Sequence, residues 1–278
     1  MVRNSDRLTS RYLMGYIYRP DSNKMKTLIQ TFLLCAVVTL GQAQTPKALI
    51  SLTYDDGMET HIQHAIPQLN TYQLKGTFYI NSIKGNKEAQ AWQEAATMGH
   101  ELGNHSLHHA CPESMGWKKP FCTDYYTLEN MLDEIGATSA ILKTLDPKAP
   151  FRTYAYPCNN FKVGGQSYIN KLVESKLIKY ARGGGTINSI HTSAKDLDPF
   201  HVPSWPVQEG CSLDTLISFL ESVYQKKGFG VLQFHGIGGQ WIKISNETHI
   251  GLLFYLEQHK DRFEVLPFGQ AMKKFRNE

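Results

Sequence analysis

Two adjacent carboxylates stand at the end of an apolar run near the beginning of the chain. Asp55 and Asp56 follow the segment Ala48–Tyr54 and precede Gly57, which permits a sharp turn. Neighbouring carboxylates repel each other, and a turn needs only one of them. A cation bound to one aspartate would relieve the repulsion and leave the other as a base. Taken alone, the pair is more simply an ordinary Asp-Asp-Gly turn.

A histidine cluster strengthens the case for a cation. His105 and His109 are four residues apart, and on one helical turn they would share a face at a spacing suited to chelation. His108 is a competing ligand, three residues from His105, and a surface histidine cluster is the alternative interpretation. With one aspartate, two imidazoles form a set with open positions for water and substrate. Such a set suits catalytic zinc or a similar divalent ion.

A third histidine ends another apolar run. His235 follows Val231–Phe234 and precedes Gly236. A histidine at this position can donate a proton to a leaving group on the side opposite the base. A single histidine at a strand end is more often structural, so His235 gains its weight from the other two clusters.

The pattern of the chain predicts a parallel α/β fold that brings these clusters together. Short apolar segments alternate with longer helical ones, and roughly seven strands suit a barrel, with an open doubly wound sheet as the alternative. In both folds the loops at the carboxyl ends of the strands build the site. The predicted strands are 48–54, 76–80, 101–105, 151–156, 178–182, 200–202, 230–234 and 263–266. The predicted helices are 60–72, 88–98, 127–145, 167–175, 213–226 and 248–259.

The first 43 residues resemble a targeting segment rather than part of the domain. Lys24 and Lys26 precede an apolar run, Leu28–Leu40, which ends in Gly41-Gln42-Ala43 and predicts cleavage after Ala43. The run is shorter than the ~20 residues of a membrane-spanning helix, although a retained anchor is the alternative. We therefore expect an overextended start at 1–24, a signal peptide at 25–43 and one catalytic domain at 44–278, secreted or periplasmic and without a membrane span.

Charge gives no indication of a nucleic-acid partner. Residues 1–43 hold six of the 29 basic residues and two of the 25 acidic ones, so the remainder carries 23 of each. A neutral body lacks the electrostatic footprint that binds nucleic acid.

Four cysteines follow the predicted cleavage site: Cys111, Cys122, Cys158 and Cys211. An even number in an exported protein predicts disulfides, and four cysteines permit three pairings. The short loop between Cys111 and Cys122 makes this pair the expected bridge, with free thiols as the alternative.

Three short motifs occur in the order found in the polysaccharide deacetylases (NodB-like proteins, carbohydrate esterase family 4). Thr53–Gly57 (TYDDG) resembles the T-F-D-D-G motif, His105–His109 (HSLHH) matches H-[ST]-x-x-H, and Leu232–His235 (LQFH) matches L-x-x-H. Each motif is weak alone, but three in this order are specific. The similarity extends from about Ala48 to the end of the chain.

The resemblance implies a distorted (β/α)7 barrel, a divalent metal, Zn²⁺ or an ion such as Co²⁺, and removal of acetyl groups from an acetylated glycan. It assigns Asp55 as the catalytic base, and Asp56, His105 and His109 as metal ligands. It assigns His235 as the general acid. The residue types alone leave open which aspartate binds the metal.

Two positions depart from the motifs of the family. The third motif, R-x-P-Y, aligns its arginine with Ala155, and Arg152 is the nearest substitute if the strand bends. The aligned segment Tyr156-Pro157-Cys158 is expected to contact substrate, with a backbone N–H holding the oxyanion. Trp205 is expected either to wall the acetyl pocket or simply to pack. The missing arginine also suggests a second hypothesis, a carbohydrate-binding protein that has kept the fold and metal but lost turnover.

Overall fold

The computed structural model describes residues 46–278 of the chain. The predicted start segment at 1–24, the predicted signal peptide at 25–43 and cleavage after Ala43 lie outside the described residues. The described residues belong to one compact unit.

The first strand shows why the chain forms a buried parallel sheet. Strand β1 (Ala48–Tyr54) is buried along its whole length, as expected when both faces of a sheet are covered. The remaining strands are β2 (Thr77–Ile80), β3 (Glu101–Asn104), β4 (Thr153–Ala155), β5 (Lys162–Val163), β6 (Gln166–Ser167), β7 (Tyr180–Gly184), β8 (Ile190–His191), β9 (Val202–Pro206), β10 (Phe229–Phe234) and β11 (Phe263–Val265).

The sheet closes into a barrel. Within residues 46–278, seven parallel strands follow the order β1-β2-β3-β4-β7-β9-β10, and β10 pairs back with β1 from Leu49↔Phe229 to Tyr54↔Phe234. The barrel is distorted at β1, because β2 pairs with it only at Thr53 and Tyr54, while β11 pairs with its first half. Closure confirms the predicted (β/α)7 barrel and excludes the open doubly wound sheet.

Helices cover the outside of the sheet. A π-helical turn (His61–Ala65) leads into α1 (Ile66–Thr71). The others are α2 (Asn86–Thr97), α3 (Leu128–Leu145), α4 (Ile169–Ser175), α5 (Leu213–Gln225), α6 (Asn246–Gln258) and α7 (Phe268–Phe275). Hydroxyls of Thr127, Ser212 and Ser245 cap α3, α5 and α6 by accepting a backbone N–H of the first turn. Helix α7 was not among the predicted helices.

The strands point their carboxyl ends at one edge of the barrel. Asp55 follows β1, His105 follows β3 and His235 follows β10. Because these strands are parallel, the three sequence clusters meet at that edge. No helix within residues 46–278 is long and apolar enough to cross a membrane.

Candidate active site

The turn after β1 separates the two aspartates. The Asp55 N–H donates to the Phe234 carbonyl at 2.9 Å, which extends the β1–β10 ladder by one residue. Asp56 (φ 79°) and Gly57 (φ 56°) then adopt left-handed conformations. The chain therefore reverses at Asp56, and the two neighbouring carboxylates take different surroundings.

A loop after β3 positions the two imidazoles. Asn104 fixes the loop, because its Oδ1 accepts from the Ser106 N–H at 2.9 Å and its Nδ2 donates to the Ile135 carbonyl of α3 at 2.8 Å. Ser106 (φ 52°) and His109 (φ 50°) are left-handed. The expectation that His105 and His109 share one helical turn is therefore wrong, since two left-handed residues bend the loop back instead.

The two imidazoles converge on one carboxylate oxygen. The Nε2 atoms of His105 and His109 lie 3.3 Å and 3.1 Å from Asp56 Oδ1. The ligand atoms of the three residues lie within 4.8 Å of one another. His108 faces elsewhere, with its ring packed on Phe121 at a centroid distance of 4.3 Å. The geometry thus favours His109 over His108 as the second imidazole.

The donor chemistry of these residues fits a divalent cation. His105 Nδ1 lies 2.8 Å from the Ala155 carbonyl, so Nδ1 carries the proton and Nε2 presents a lone pair to Asp56 in the neutral ring. Both Asp56 oxygens are buried and accept no hydrogen bond from residues 46–278. Lone pairs facing a buried carboxylate repel it unless a cation lies between them. Two imidazoles and one carboxylate form the kind of set found in catalytic zinc sites.

Both aspartates are held in the charged form. Burial raises the pKa of Asp56. Protonated imidazoles of His105 and His109, which can donate to the carboxylate when no cation is bound, outweigh burial and hold the pKa below its ordinary value. Burial likewise raises the pKa of Asp55, but the charges of Arg182, His105 and His235 together more than offset burial, so the pKa of Asp55 is also lowered. The site therefore presents two carboxylates at neutral pH.

Arg182 of β7 and Gln233 of β10 orient Asp55, and neither was among the residues predicted for the site. The fully buried Arg182 donates from Nη2 to Asp55 Oδ1. Gln233 Nε2 donates to Asp55 Oδ2 at 2.9 Å. The Arg182 guanidinium also lies over the Tyr79 ring at 4.6 Å. An arginine at the end of a predicted apolar strand was the signal that could have identified it.

Arg152, the predicted substitute, serves another part of the fold. Its guanidinium donates to the carbonyls of Leu142 and Asp146 and pairs with the Asp146 carboxylate at 3.3 Å. Arg152 precedes β4, whereas the site lies beyond the carboxyl end of that strand. The arginine that the third motif lacks on β4 is thus supplied by Arg182 of β7. Strand β7 is the third strand after β4 in the chain, but it pairs directly with β4 in the barrel.

His235 lines the same cavity as Asp55 and the imidazoles. Burial lowers the pKa of His235, and the negative charge of Asp55 opposes that effect. His61 holds the main chain at this position: its Nε2 donates to the His235 carbonyl at 2.8 Å, and its Nδ1 accepts from the Met58 N–H at 3.1 Å. Burial lowers the pKa of His61 to about 4, which keeps the ring neutral for these two roles.

The cavity has a volume of about 180 Å³. Residues from the ends of five strands and the loops that follow them line it: Asp55, His105, His109, Met115, Cys158, Asn159, Pro206, Val207, Gln208, Gln233, His235, Trp241 and Ile242.

Of the four residues expected to contact substrate, Cys158 lies in the cavity wall and the other three are buried elsewhere. Trp205 packs on Phe219 at a ring-centroid distance of 4.9 Å, and the Tyr156 hydroxyl donates to the Phe200 carbonyl at 2.6 Å. Pro157 is buried and does not line the cavity. The wall expected of Trp205 is formed by the three residues that follow it in the chain, Pro206, Val207 and Gln208.

The disulfide differs from the expected one. Cys111 is bridged to Cys158, with a Cα–Cα distance of 5.9 Å, and the predicted pairing of Cys111 with Cys122 is wrong. The backbones of Cys111 and Cys122 are adjacent, since the Thr123 N–H donates to the Cys111 carbonyl at 3.0 Å. The left-handed turn at Cys158 (φ 53°) brings that residue to Cys111 instead. The bridge ties the His109 loop to the loop after β4.

A family model described as Polysaccharide deacetylase matches residues 42–172. The matched region contains Asp55, Asp56, His105 and His109. No curated protein matches the chain.

Solved structures share the fold at low sequence identity. A putative polysaccharide deacetylase from Mycobacterium smegmatis aligns with a TM-score of 0.60 and 12% identity, covering 84% of this chain and 92% of that one. The catalytic domain of a peptidoglycan N-acetylglucosamine deacetylase from Eubacterium rectale aligns with a TM-score of 0.53 and 16% identity, covering 81% and 90%. The Xyl-CE4 domain of a multidomain xylanase from the hindgut metagenome of Trinervitermes trinervoides aligns with a TM-score of 0.51 and 15% identity. The alignment covers 82% of this chain and 91% of that one.

Proposed function

The chain belongs to the polysaccharide deacetylase family, and we propose that it is a metal-dependent hydrolase that releases acetate from an acetylated glycan. One observation carries the proposal: a buried carboxylate with two imidazoles directed at it lies beside a second carboxylate that Arg182 and Gln233 hold in place. The first carboxylate fits a metal ligand and the second fits a base.

Asp56, His105 and His109 would hold the divalent ion, for which Zn²⁺ is our first candidate and Co²⁺ the second. A bound ion lowers the pKa of water and polarises the acetyl carbonyl. His105 is oriented for ligation by its hydrogen bond to the Ala155 carbonyl, which fixes the tautomer that presents Nε2.

Asp55 acts as the general base and takes a proton from the attacking water. Its two oxygens are already held by Arg182 and Gln233, so the carboxylate does not need to reorganise for this step. The lowered pKa keeps it ionised and ready at neutral pH.

His235 gives a proton to the departing nitrogen or oxygen of the sugar. It lines the cavity with Asp55, and His61 fixes the main chain beneath it. The backbone N–H of Cys158 is our candidate donor to the developing oxyanion, supported by the position of Cys158 in the cavity wall.

The metal assignment is tested by two histidine variants from one loop. His109→Gln removes a proposed ligand, so we expect bound metal and acetate release to fall together. His108→Gln is the matched control, because His108 packs on Phe121, and we expect it to keep both. Metal content measured by elemental analysis would contradict the assignment if only His108→Gln lost the ion.

The substrate class is tested by acetate release from chitin oligomers, peptidoglycan and acetylated xylan, with and without chelator. We expect release from at least one of them, abolished by chelation and restored by added Zn²⁺ or Co²⁺. A protein that binds metal but releases acetate from none would be a binding protein instead of an enzyme.

We also propose that the protein is exported. The support is the predicted signal at 25–43 and the Cys111–Cys158 bridge, since disulfides persist in oxidising compartments. Intact mass of the exported protein is expected to correspond to a chain that begins at Gln44. Recovery of a chain that still begins at or before Met25 would contradict cleavage.

A further inference from the structure

Trp241 stands at the mouth of the cavity with its side chain in solvent. It lies between β10 and α6, its residue surface is 55% exposed, and its ring lies 5.1 Å from the His235 ring. Trp241 and the next residue, Ile242, both line the cavity. Together they give the rim of the cavity an apolar surface next to His235.

The loop that carries Trp241 is fixed to the rest of the site. Gln240 Oε1 accepts two hydrogen bonds from Thr60, one from its backbone N–H at 3.1 Å and one from its hydroxyl at 2.8 Å. The Trp241 carbonyl accepts from the Gly236 N–H at 3.2 Å. The backbone that carries the ring is therefore fixed relative to the turn after β1 and to the Gly236 backbone next to His235.

The backbone on both sides of Trp241 is strained. Gln240 has φ 63° and Ile242 has φ 45°, both in the left-handed region. A β-branched residue such as Ile242 rarely adopts that conformation, and each such residue costs on the order of 1 kcal/mol or more. This strain is not offset by burial of the Trp241 side chain, which stays exposed. Strained backbone is concentrated at ligand-binding sites, so a ligand that contacts Trp241 would account for it.

The size of the cavity indicates what lies against the ring. Its 180 Å³ is smaller than the roughly 300 Å³ at which pockets begin to enclose a whole small ligand. The cavity therefore takes the acetyl group, and the sugar that bears it must extend over the rim where Trp241 stands.

We propose that Trp241 is a stacking platform for a pyranose ring of the substrate glycan. A pyranose presents a face of C–H bonds, and a rigid indole offers a matching apolar surface whose negative π face attracts C–H hydrogens. This inference rests on the proposed deacetylase function and specifies how that site recognises sugar rather than acetyl alone.

The test compares two substrates that share the acetyl group. One is an acetylated oligosaccharide that the parent deacetylates, and the other is 4-nitrophenyl acetate, which has no pyranose. For Trp241→Ala we expect kcat/KM on the oligosaccharide to fall about 10-fold more than on the aryl ester. The loss should lie in KM, while Trp241→Phe should recover most of it.

The matched control is Phe254→Ala, which removes another exposed aromatic ring (52% exposed) from α6. It should leave both substrates unaffected. Equal losses on the two substrates for Trp241→Ala would overturn the inference and assign Trp241 a role in positioning His235. An unchanged KM on the oligosaccharide would also overturn it, with the deacetylase function intact. A parent that deacetylates no oligosaccharide would overturn both.

Discussion

Both ends of the barrel hold carboxylates withdrawn from water, and they differ in whether the protein satisfies them. At the amino ends of the strands, Glu101 accepts hydrogen bonds from the Thr77 hydroxyl, the Thr153 hydroxyl and the Gly269 N–H. At the carboxyl ends, neither oxygen of Asp56 accepts a hydrogen bond from any of residues 46–278. The hydrogen bonds of Glu101 connect β2, β3, β4 and α7. The missing hydrogen bonds of Asp56 indicate instead that its carboxylate binds a ligand from outside the chain.

The backbone around the two carboxylates differs in the same direction. Asp56, Ser106, His109 and Cys158 at the carboxyl ends have positive φ values from 50° to 79°. The residues around Glu101 lie in regular strands and at the start of α7. Strain at non-glycine residues is tolerated where surrounding contacts impose it, and here it occurs at two proposed metal ligands, Asp56 and His109, and at the candidate oxyanion donor Cys158.

The largest expected effect tests the catalytic end. Asp55→Asn keeps the size of the side chain but cannot accept the proton of water, so turnover should fall by about 10²–10⁴-fold, or roughly 3–5 kcal/mol in activation free energy. Metal content should stay at the parental level, because Asp56 and not Asp55 is the proposed ligand. Steady-state acetate release and elemental analysis of the same sample check both statements. Parental turnover would remove Asp55 from the mechanism.

The next effect tests the structural end. Glu101→Ala leaves three donors without their acceptor, so the free energy of unfolding should fall by about 3 kcal/mol. Acetate release per folded molecule should not change. Urea unfolding measures the loss, and Glu264→Ala, which removes a surface pair with Lys274 at 2.7 Å, is the control expected to cost below about 1 kcal/mol. An activity loss in folded Glu101→Ala would erase the distinction between the two ends.

A smaller effect concerns the residue that holds the base. Arg182→Lys keeps the charge but loses the planar guanidinium, so kcat/KM should fall about 10–100-fold with metal retained. The acidic limb of the pH–activity profile should move to higher pH, because a weaker partner lowers the pKa of Asp55 less. Arg152→Lys is the matched control and should leave the profile in place. The same shift in both variants would mean that the effect is not local to Asp55.

The smallest effect concerns a buried histidine behind the site. His249 contacts the Tyr54 hydroxyl at 2.8 Å and Gln68 Oε1 at 2.6 Å, and burial lowers its pKa to about 3. The unfolded chain protonates this histidine near pH 6.5, so its contribution to stability is complete above pH 6.5 and is lost as pH falls towards 3. The slope is at most ~1.4 kcal/mol per pH unit. His249→Gln should flatten the decline of the unfolding free energy between pH 6.5 and 5, and an unchanged slope would show that His249 is not the cause.

The fold was predictable because its signals are local. Alternating apolar runs and helical segments located six of the seven barrel strands, whereas the segment predicted at 200–202 meets β9 only at Val202. The closed barrel followed from the resemblance. Helix α7 escaped prediction because its segment is short, and β11 before it is only three residues long.

The arginine and the disulfide were not predictable from spacing. Arg182 reaches Asp55 across 127 residues, because β7 lies next to β4 in the closed barrel. Cys111 pairs with Cys158 across 47 residues rather than with Cys122 across 11. A short separation in sequence lowers the entropic cost of closing the loop between two cysteines. The directions of the side chains in the folded protein nevertheless decide which sulfur atoms meet.

The sequence by itself determined the family, the barrel and the five residues proposed for metal binding and catalysis, because motif residues follow strands whose ends must coincide in a parallel barrel. The tertiary structure alone decided which imidazole faces Asp56, which arginine holds Asp55, and which residue walls the cavity. These three features depend on left-handed turns and on contacts between strands that are distant in sequence. The conformation of a single residue there changes the direction of a side chain, and the periodicity of the sequence does not predict such a change.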